Sequence, residues 1–217
     1  MLTFAEEILL LILDDEQGTI EYPYSDEMKY VMAGAVLMDL AVHDKIDNDL
    51  DKLVLVDKTP TGEEILDTYL AMIPEGGEIH DSNYWVAELA KHGTAIKDKA
   101  LEMLVEKGIL KVVDKKILWV FGTRQYPMID DTEEREVLQR VTHLLNSDDI
   151  PDPRDVVLVC LIDTFELFPS VVGEDQAQAL APRIAQIRKL DLIGQVVYQM
   201  LERLRAIKAD LYVLHPY

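Results

Sequence analysis

The feature that most restricts the fold of this chain is its opening, Leu2-Thr3-Phe4-Ala5-Glu6-Glu7, which runs into the unbroken apolar stretch Ile8 to Leu13. Thr3 and Glu6 stand three residues apart, the spacing at which each side chain takes up a backbone N–H that the first helical turn leaves unpaired. A helix therefore starts at once. Its apolar stretch wraps every side of that helix, so no face suits water and the element has to be surrounded by protein. The stretch is too short to cross a bilayer, which takes about 20 residues. The acidic residues Asp14 to Glu16 and then Gly18 release the chain.

Two further stretches have the same character. Ser25 or Asp26 opens a helix in which Val31 to Met38 is apolar on every face, interrupted by Asp39 before Leu40-Ala41-Val42. Asp152 as N-cap, Pro153 at the first helical position and Asp155 near the positive end of the dipole open a third, Val156 to Phe168. Around these three, Lys52 to Val56 reads as a short strand. Thr61 and Glu64 form a second capping box, for a helix from about Gly62 to Ile73 ended by Pro74 and Gly76-Gly77. Asp81 or Ser82 starts a helix carrying Trp85, Val86 and Leu89, and Thr94 caps one carrying Ala100, Leu101, Met103, Leu104 and Val105. Ile109 to Val113 and Ile117 to Phe121 flank Asp114-Lys115-Lys116 as a hairpin.

Asp131 with Glu134 caps the next helix, through Val137, Leu138, Val141, Leu144 and Leu145, and the acidic, Pro-containing stretch Asn146 to Asp155 is a loop. Beyond Phe168, the chain is broken by Pro169, Gly173 and Pro182. Ile193, Val196, Val197, Met200, Leu204 and Ile207 then recur at helical spacing as an amphipathic closing helix. The segments Gly34 to Met72 and Ala100 to Leu145 repeat one order of helix, strand, turn and helix. The expected architecture is a mainly α single globular domain over 1–217, in which apolar central helices are wrapped by amphipathic ones with β-hairpins at the periphery.

Charge narrows the partners. The 217 residues carry 21 Lys and Arg against 41 Asp and Glu, a net charge of -20 that repels nucleic acid and anionic lipid at long range. The repeated unit resembles a winged helix, which sets a DNA-binding regulator as the rival reading. Its candidate recognition helix offers Lys97, Lys99 and Lys107 against Asp98, Glu102 and Glu106, so the local charge cancels. Cys160 is the sole cysteine and lies among Val157, Leu158, Val159, Leu161 and Ile162, a buried thiol suited to a reducing cytoplasm. No basic region precedes the first apolar stretch, and the reading is a cytoplasmic chain without targeting or membrane-spanning segments.

Chemistry-bearing patterns are sparse. His43, His80, His92, His143 and His215 lack metal-ligand spacing. Asp47-Asn48-Asp49-Leu50-Asp51 imitates the start of a calcium loop, but Lys52 and Lys58 occupy the positions that require Gly and a bidentate Glu. Thr59-Pro60-Thr61-Gly62 reads as a cap, not a phosphate cradle, because Glu63-Glu64 repels an anion there. An enzyme would need a cleft that joins distant groups, for example His143 with Asp39. No metal, cofactor or catalytic constellation is expected, and the chain reads as a binding protein.

Several motifs resemble the Golgi phosphoprotein 3 family when taken in order. They are the opening helix; Gly34-Ala35-Val36-Leu37-Met38-Asp39-Leu40-Ala41; Asp57-Lys58-Thr59-Pro60-Thr61-Gly62 with Ile65-Leu66-Asp67; Leu101 to Leu110; and the turn Phe121 to Pro127. The resemblance covers about Leu2 to Phe168 and implies a mostly helical, non-enzymatic peripheral protein. It further implies an adaptor for the tails of membrane proteins, whose eukaryotic relatives bind phosphatidylinositol 4-phosphate. The headgroup pocket implied by the family falls on Tyr24, with Arg124, Arg135 and Arg140 as its nearest cations. The family's Arg on the second helix reads Ala33 here, and its later basic positions fall near Glu133, Glu134 and Glu136. The resemblance therefore implies weak or absent binding of an anionic phospholipid headgroup, and acidic surfaces suited to basic tails at the cytoplasmic membrane face.

Overall fold

The capping box at Thr3 forms as its spacing requires. In the computed structural model, which describes residues 1–20, 25–48, 52–76, 79–117 and 121–202, the Glu6 amide donates to Thr3 Oγ1 at 3.3 Å and the Thr3 amide donates to Glu6 Oε2 at 2.8 Å. Helix α1 runs Phe4–Ile12 and is buried along its length apart from the half-buried Leu11. The helices α2 (Ser25–Val42), α3 (Glu64–Leu70), α4 (Ser82–Ala90), α5 (Gly93–Glu106), α6 (Thr132–Asn146), α7 (Pro153–Thr164), α8 (Phe168–Val172) and α9 (Glu174–Arg188) follow. Residues 192–202 form a closing helix.

Two antiparallel hairpins complete the order. Strands β1 (Ile46–Asn48) and β2 (Leu53–Leu55) lie between α2 and α3, with Ile46 opposite Leu55. Strands β3 (Val113–Ile117) and β4 (Phe121–Gln125) lie between α5 and α6, with Val113 opposite Gln125. Both repeated segments are thus helix, hairpin, helix.

Helix α2 is the hub. It packs on α1, α3, α4, α5, α7 and β1, and α1 packs in turn on α5, α6 and α7. Val31, Met32, Val36, Leu37 and Leu40 of α2 and Leu158 to Ile162 of α7 have no solvent exposure, as expected of helices that are apolar all round. Close approach is built in by small residues. A Cβ on Gly93 would stand 2.4 Å from Lys29 Cα, and one on Gly194 would stand 2.8 Å from Cys160 Cβ. Ala33, Gly34 and Ala35 likewise give α2 a slim waist, and a Cβ on Gly34 would meet Val197 of the closing helix at 2.5 Å.

Several local expectations are corrected. Thr61 and Glu64 form no capping box, and α3 starts at Glu64 behind Glu63, which caps with no side-chain bond. Thr61 instead donates its amide and hydroxyl to Asp67 Oδ1 at 2.6 and 2.8 Å. Helix α3 also stops at Leu70, before Pro74 is reached. Thr94 lies inside α5, with His92 at its N-cap. Asp131 precedes α6 without a side-chain cap bond, and Asp130 Oδ1 accepts the Thr132 amide. Asp114, Lys115 and Lys116 belong to β3 and not to a turn. The long third helix divides, because Glu166 takes a left-handed φ of 57° between α7 and α8. Pro182 sits inside α9, where Gln178, whose carbonyl loses its partner, is exposed to water.

Candidate functional site

The charged groups fall into two sets, one interior and one exposed. In the interior, α1 presents Glu6 and Glu7 towards three other helices. Lys107, at the C-cap of α5, donates to Glu6 Oε1 at 2.7 Å. Arg154 of α7 reaches Glu7 Oε2 at 2.9 Å, and Arg140 of α6 reaches Glu7 Oε1 at 3.3 Å and Asp155 Oδ1 at 2.7 Å. Asp39 of α2, 1% exposed, accepts the Phe4 amide on Oδ2 at 2.7 Å. Burial pushes the Asp39 carboxyl up to about 8, and the Phe4 amide and Arg154 only partly offset this. These side chains fasten α1 to its neighbours, which is a structural task.

On the surface, the loop after α1 folds back onto the exit of β4. The Tyr126 amide donates to the Gly18 carbonyl at 2.8 Å and the Met128 amide to the Asp15 carbonyl at 3.0 Å. Gly18 is required there, since its φ is 63° and a Cβ would fall 2.1 Å from the Tyr126 and Pro127 backbone. This docking brings Asp14, Asp15 and Glu16 beside the head of α6, two acidic segments more than a hundred residues apart in the chain. Glu134 records the result: partial burial, then the charges of Asp15 and Asp131, push its carboxyl up to about 7. Asp15 is raised as well, by burial and then by Asp14, Asp131 and Glu16. The sequence shows each acidic run but not their convergence, which depends on a tertiary turn.

The expected headgroup residues take separate places. Tyr24 lies outside the described residues. Ala33 is fully buried in α2. Arg124 is exposed on β4, opposite Asp114 in the ladder. Arg135 pairs with Asp131 at the head of its own helix at 2.8 Å, and Arg140 is engaged by Glu7 and Asp155. Of the second acidic run, Asp152 caps α7, Asp155 holds Arg140, and Asp149 faces the exposed His143 at 3.6 Å. His143 and Asp39 therefore belong to different environments, one exposed and one interior.

The remaining candidates resolve into structure. The turn that invites a phosphate has its amides filled from within: Thr59 donates to Asp57 at 2.9 Å, Thr61 and Gly62 donate to Asp67 at 2.6 and 3.3 Å, and Glu63 donates to Thr61 Oγ1 at 3.1 Å. Burial raises the Asp67 carboxyl, but the hydrogen bonds from the Thr61 hydroxyl and from the Thr61 and Gly62 amides outweigh it and hold the group below its usual range. The three lysines of the rival DNA-binding reading are neutralised, Lys97 by Asp98, Lys99 by Glu64 and Lys107 by Glu6. Asp47 and Asn48 lie in β1, while Asp49, Leu50 and Asp51 are outside the described residues. His43 Nδ1 lies 2.8 Å from the Asp39 carbonyl, His80 stacks on Tyr84, and His92 packs near Tyr69; His215 is outside the described residues. Cys160 is buried, and burial raises its thiol well above the ordinary value. Among the described residues no group of three or more His, Cys, Asp or Glu is placed to hold a metal ion, and no helix is long and apolar enough to cross a membrane.

An apolar three-helix centre, wrapped by amphipathic helices and carrying two helix–hairpin–helix units, defines a mainly helical protein whose distinctive chemistry is surface charge. The chain belongs to the Golgi phosphoprotein 3 (GPP34) family, whose sequence profile matches residues 4–204. It is similar to vacuolar protein sorting-associated protein 74 of Schizosaccharomyces pombe, with 30% identity over 167 residues, 67% of this chain and 49% of that protein. The chain thus spans about half the length of that relative.

Proposed function

We propose that this protein is a non-enzymatic adaptor, and that its docking surface is the acidic face made by Asp14 to Glu16 and the head of α6. Family membership supports the adaptor class, and the relative's name associates that protein with vacuolar protein sorting. The observation that carries the surface is the docking of Asp15 and Gly18 onto Met128 and Tyr126, which sets two distant acidic segments side by side; Glu134 is raised there by burial and then by the charges of Asp15 and Asp131. Such a face attracts Lys- and Arg-rich segments through long-range steering and discriminates against anions. The fitting partner is the basic juxtamembrane tail of a membrane protein, met at the cytoplasmic membrane face. A phosphatidylinositol 4-phosphate headgroup fits poorly, because it needs several charge-assisted contacts and two of the candidate arginines, Arg135 and Arg140, are already engaged.

The test is a pull-down from membrane extract at low and high salt, repeated with Glu133, Glu134 and Glu136 changed together to Gln. Basic-tailed membrane proteins should be enriched only by the acidic form and released by salt. Equal recovery by both forms removes the acidic face from the mechanism. In parallel flotation, vesicles with and without phosphatidylinositol 4-phosphate should recruit the protein equally at physiological salt. Selective recruitment that is lost in Tyr24→Ala would restore the headgroup pocket.

A further inference from the structure

Among the described residues, the interior charged node is one cation short. Four carboxylates, Glu6 and Glu7 of α1, Asp39 of α2 and Asp155 of α7, meet three cations, Lys107 beside α5, Arg140 of α6 and Arg154 of α7. Both oxygens of Glu6 accept from Lys107, at 2.7 and 2.8 Å. Glu7 is shared by two guanidinium groups, and Asp155 holds Arg140. Asp39 is left with the poorest cation contact, since its Oδ1 lies 3.6 Å from Arg154 Nη1 and accepts no hydrogen bond. The neighbouring His43 ring is turned to the Asp39 carbonyl and not to its carboxyl.

We propose that Asp39 is a buried proton-binding site that latches the segment Leu2–Glu7 onto the core: protonated, it neutralises the node, and when the proton leaves, the segment loosens. The geometry names the segment. Asp39 Oδ2 accepts the Phe4 amide at 2.7 Å. The same Arg154 that faces Asp39 donates to the Leu2 carbonyl at 2.5 Å and lies 4.3 Å over the Phe4 ring. Loss of the proton leaves an ion in a site that water does not reach, with Glu6 and Glu7 repelling it and Arg154 already divided between Glu7 and Leu2. A buried ion without a matched partner is relieved by admitting water. The contacts that yield to water at least cost are those of Leu2 to Phe4, next to the exposed Met1; the proton itself passes to solvent.

Hydrogen exchange of the full chain across pH 6 to about 9, corrected for intrinsic exchange rates, tests the latch. Protection of the amides at 2–7 should fall about tenfold for each pH unit up to the Asp39 value of about 8 and level off above it, while the amides at 156–162 of α7, which open only with the whole fold, stay the better protected at every pH. In Asp39→Asn, a neutral isostere of the protonated acid, protection at 2–7 should not depend on pH. Glu7→Gln supplies a second variant. Removing one carboxylate balances the node, so the fall should level off at lower pH. Flat protection in the wild type, an unchanged pH dependence in Asp39→Asn, an unmoved levelling-off in Glu7→Gln, or protection at 2–7 equal to that at 156–162 each overturns the proposal.

Discussion

Three helices leave by one residue geometry. Asp44, Gly108 and Glu166 have φ of 54°, 74° and 57°. The next amide in each case bonds back five residues, Lys45 to Leu40, Ile109 to Leu104 and Leu167 to Ile162, at 2.9 to 3.0 Å. This is the exit for which glycine is the unstrained choice. Only Gly108 announces it in sequence. Asp44→Gly removes a Cβ from a left-handed position on an exposed residue, so it should raise stability by about 0.5–1 kcal/mol, read as a higher urea midpoint with unchanged slope. Caps follow the same division. Thr3 with Glu6, Asp81, and Asp152 with Pro153 are legible because donor and acceptor lie within one turn. The Thr61 and Asp131 boxes fail because other acceptors win: Asp67 takes the Thr61 amide and hydroxyl, and Asp130 takes the Thr132 amide.

At the scale of elements, apolar content sufficed where a helix is surrounded on all sides and failed where a boundary depends on a partner. The stretches Ile8 to Leu13, Val31 to Leu40 and Val156 to Ile162 are interior as their composition demands. The second hairpin lies further along the chain than its polar residues suggest, because Asp114-Lys115-Lys116 carries no residue that forces a reversal, and the ladder pairs Asp114 with Arg124. The β1 strand has no signal of its own within a polar stretch; its pairing with β2 supplies what its own residues lack. Helix contacts set by absent side chains are equally silent in sequence. Gly93→Ala places a Cβ 2.4 Å from Lys29 Cα and 2.7 Å from its carbonyl oxygen, backbone atoms that cannot rotate away. Helix α5 must then shift off α2, and thermal unfolding should report a loss of about 1–3 kcal/mol.

For the whole molecule, the fold was far more legible than the site, because burial is written in residue type while the acidic face depends on where a loop docks. Arg140 is the clearest case: its position near acidic residues was visible, but its assignment to Glu7 and Asp155 exists only in three dimensions. The face also makes stability depend on pH. Glu134 has a folded value of about 7 against 4.5 when free. Its folded state therefore holds a proton more tightly than the unfolded chain, so its contribution is full below about 4.5 and is lost as pH rises to about 7. Glu134→Gln should consequently be more stable than the parent at pH 8 and should flatten the decline between pH 5 and 7, measured by thermal melts across that range.

Asp67 shows the opposite use of a carboxylate. With two amides and a hydroxyl converging on it from the preceding turn, it is a ligand that the chain carries to its own loop. The conformation of that turn is consequently dictated by α3 and not by the composition of the surrounding solution. Phosphate, nucleotide or sulfate finds those amides engaged, and this stretch of surface keeps one shape whichever anions pass it.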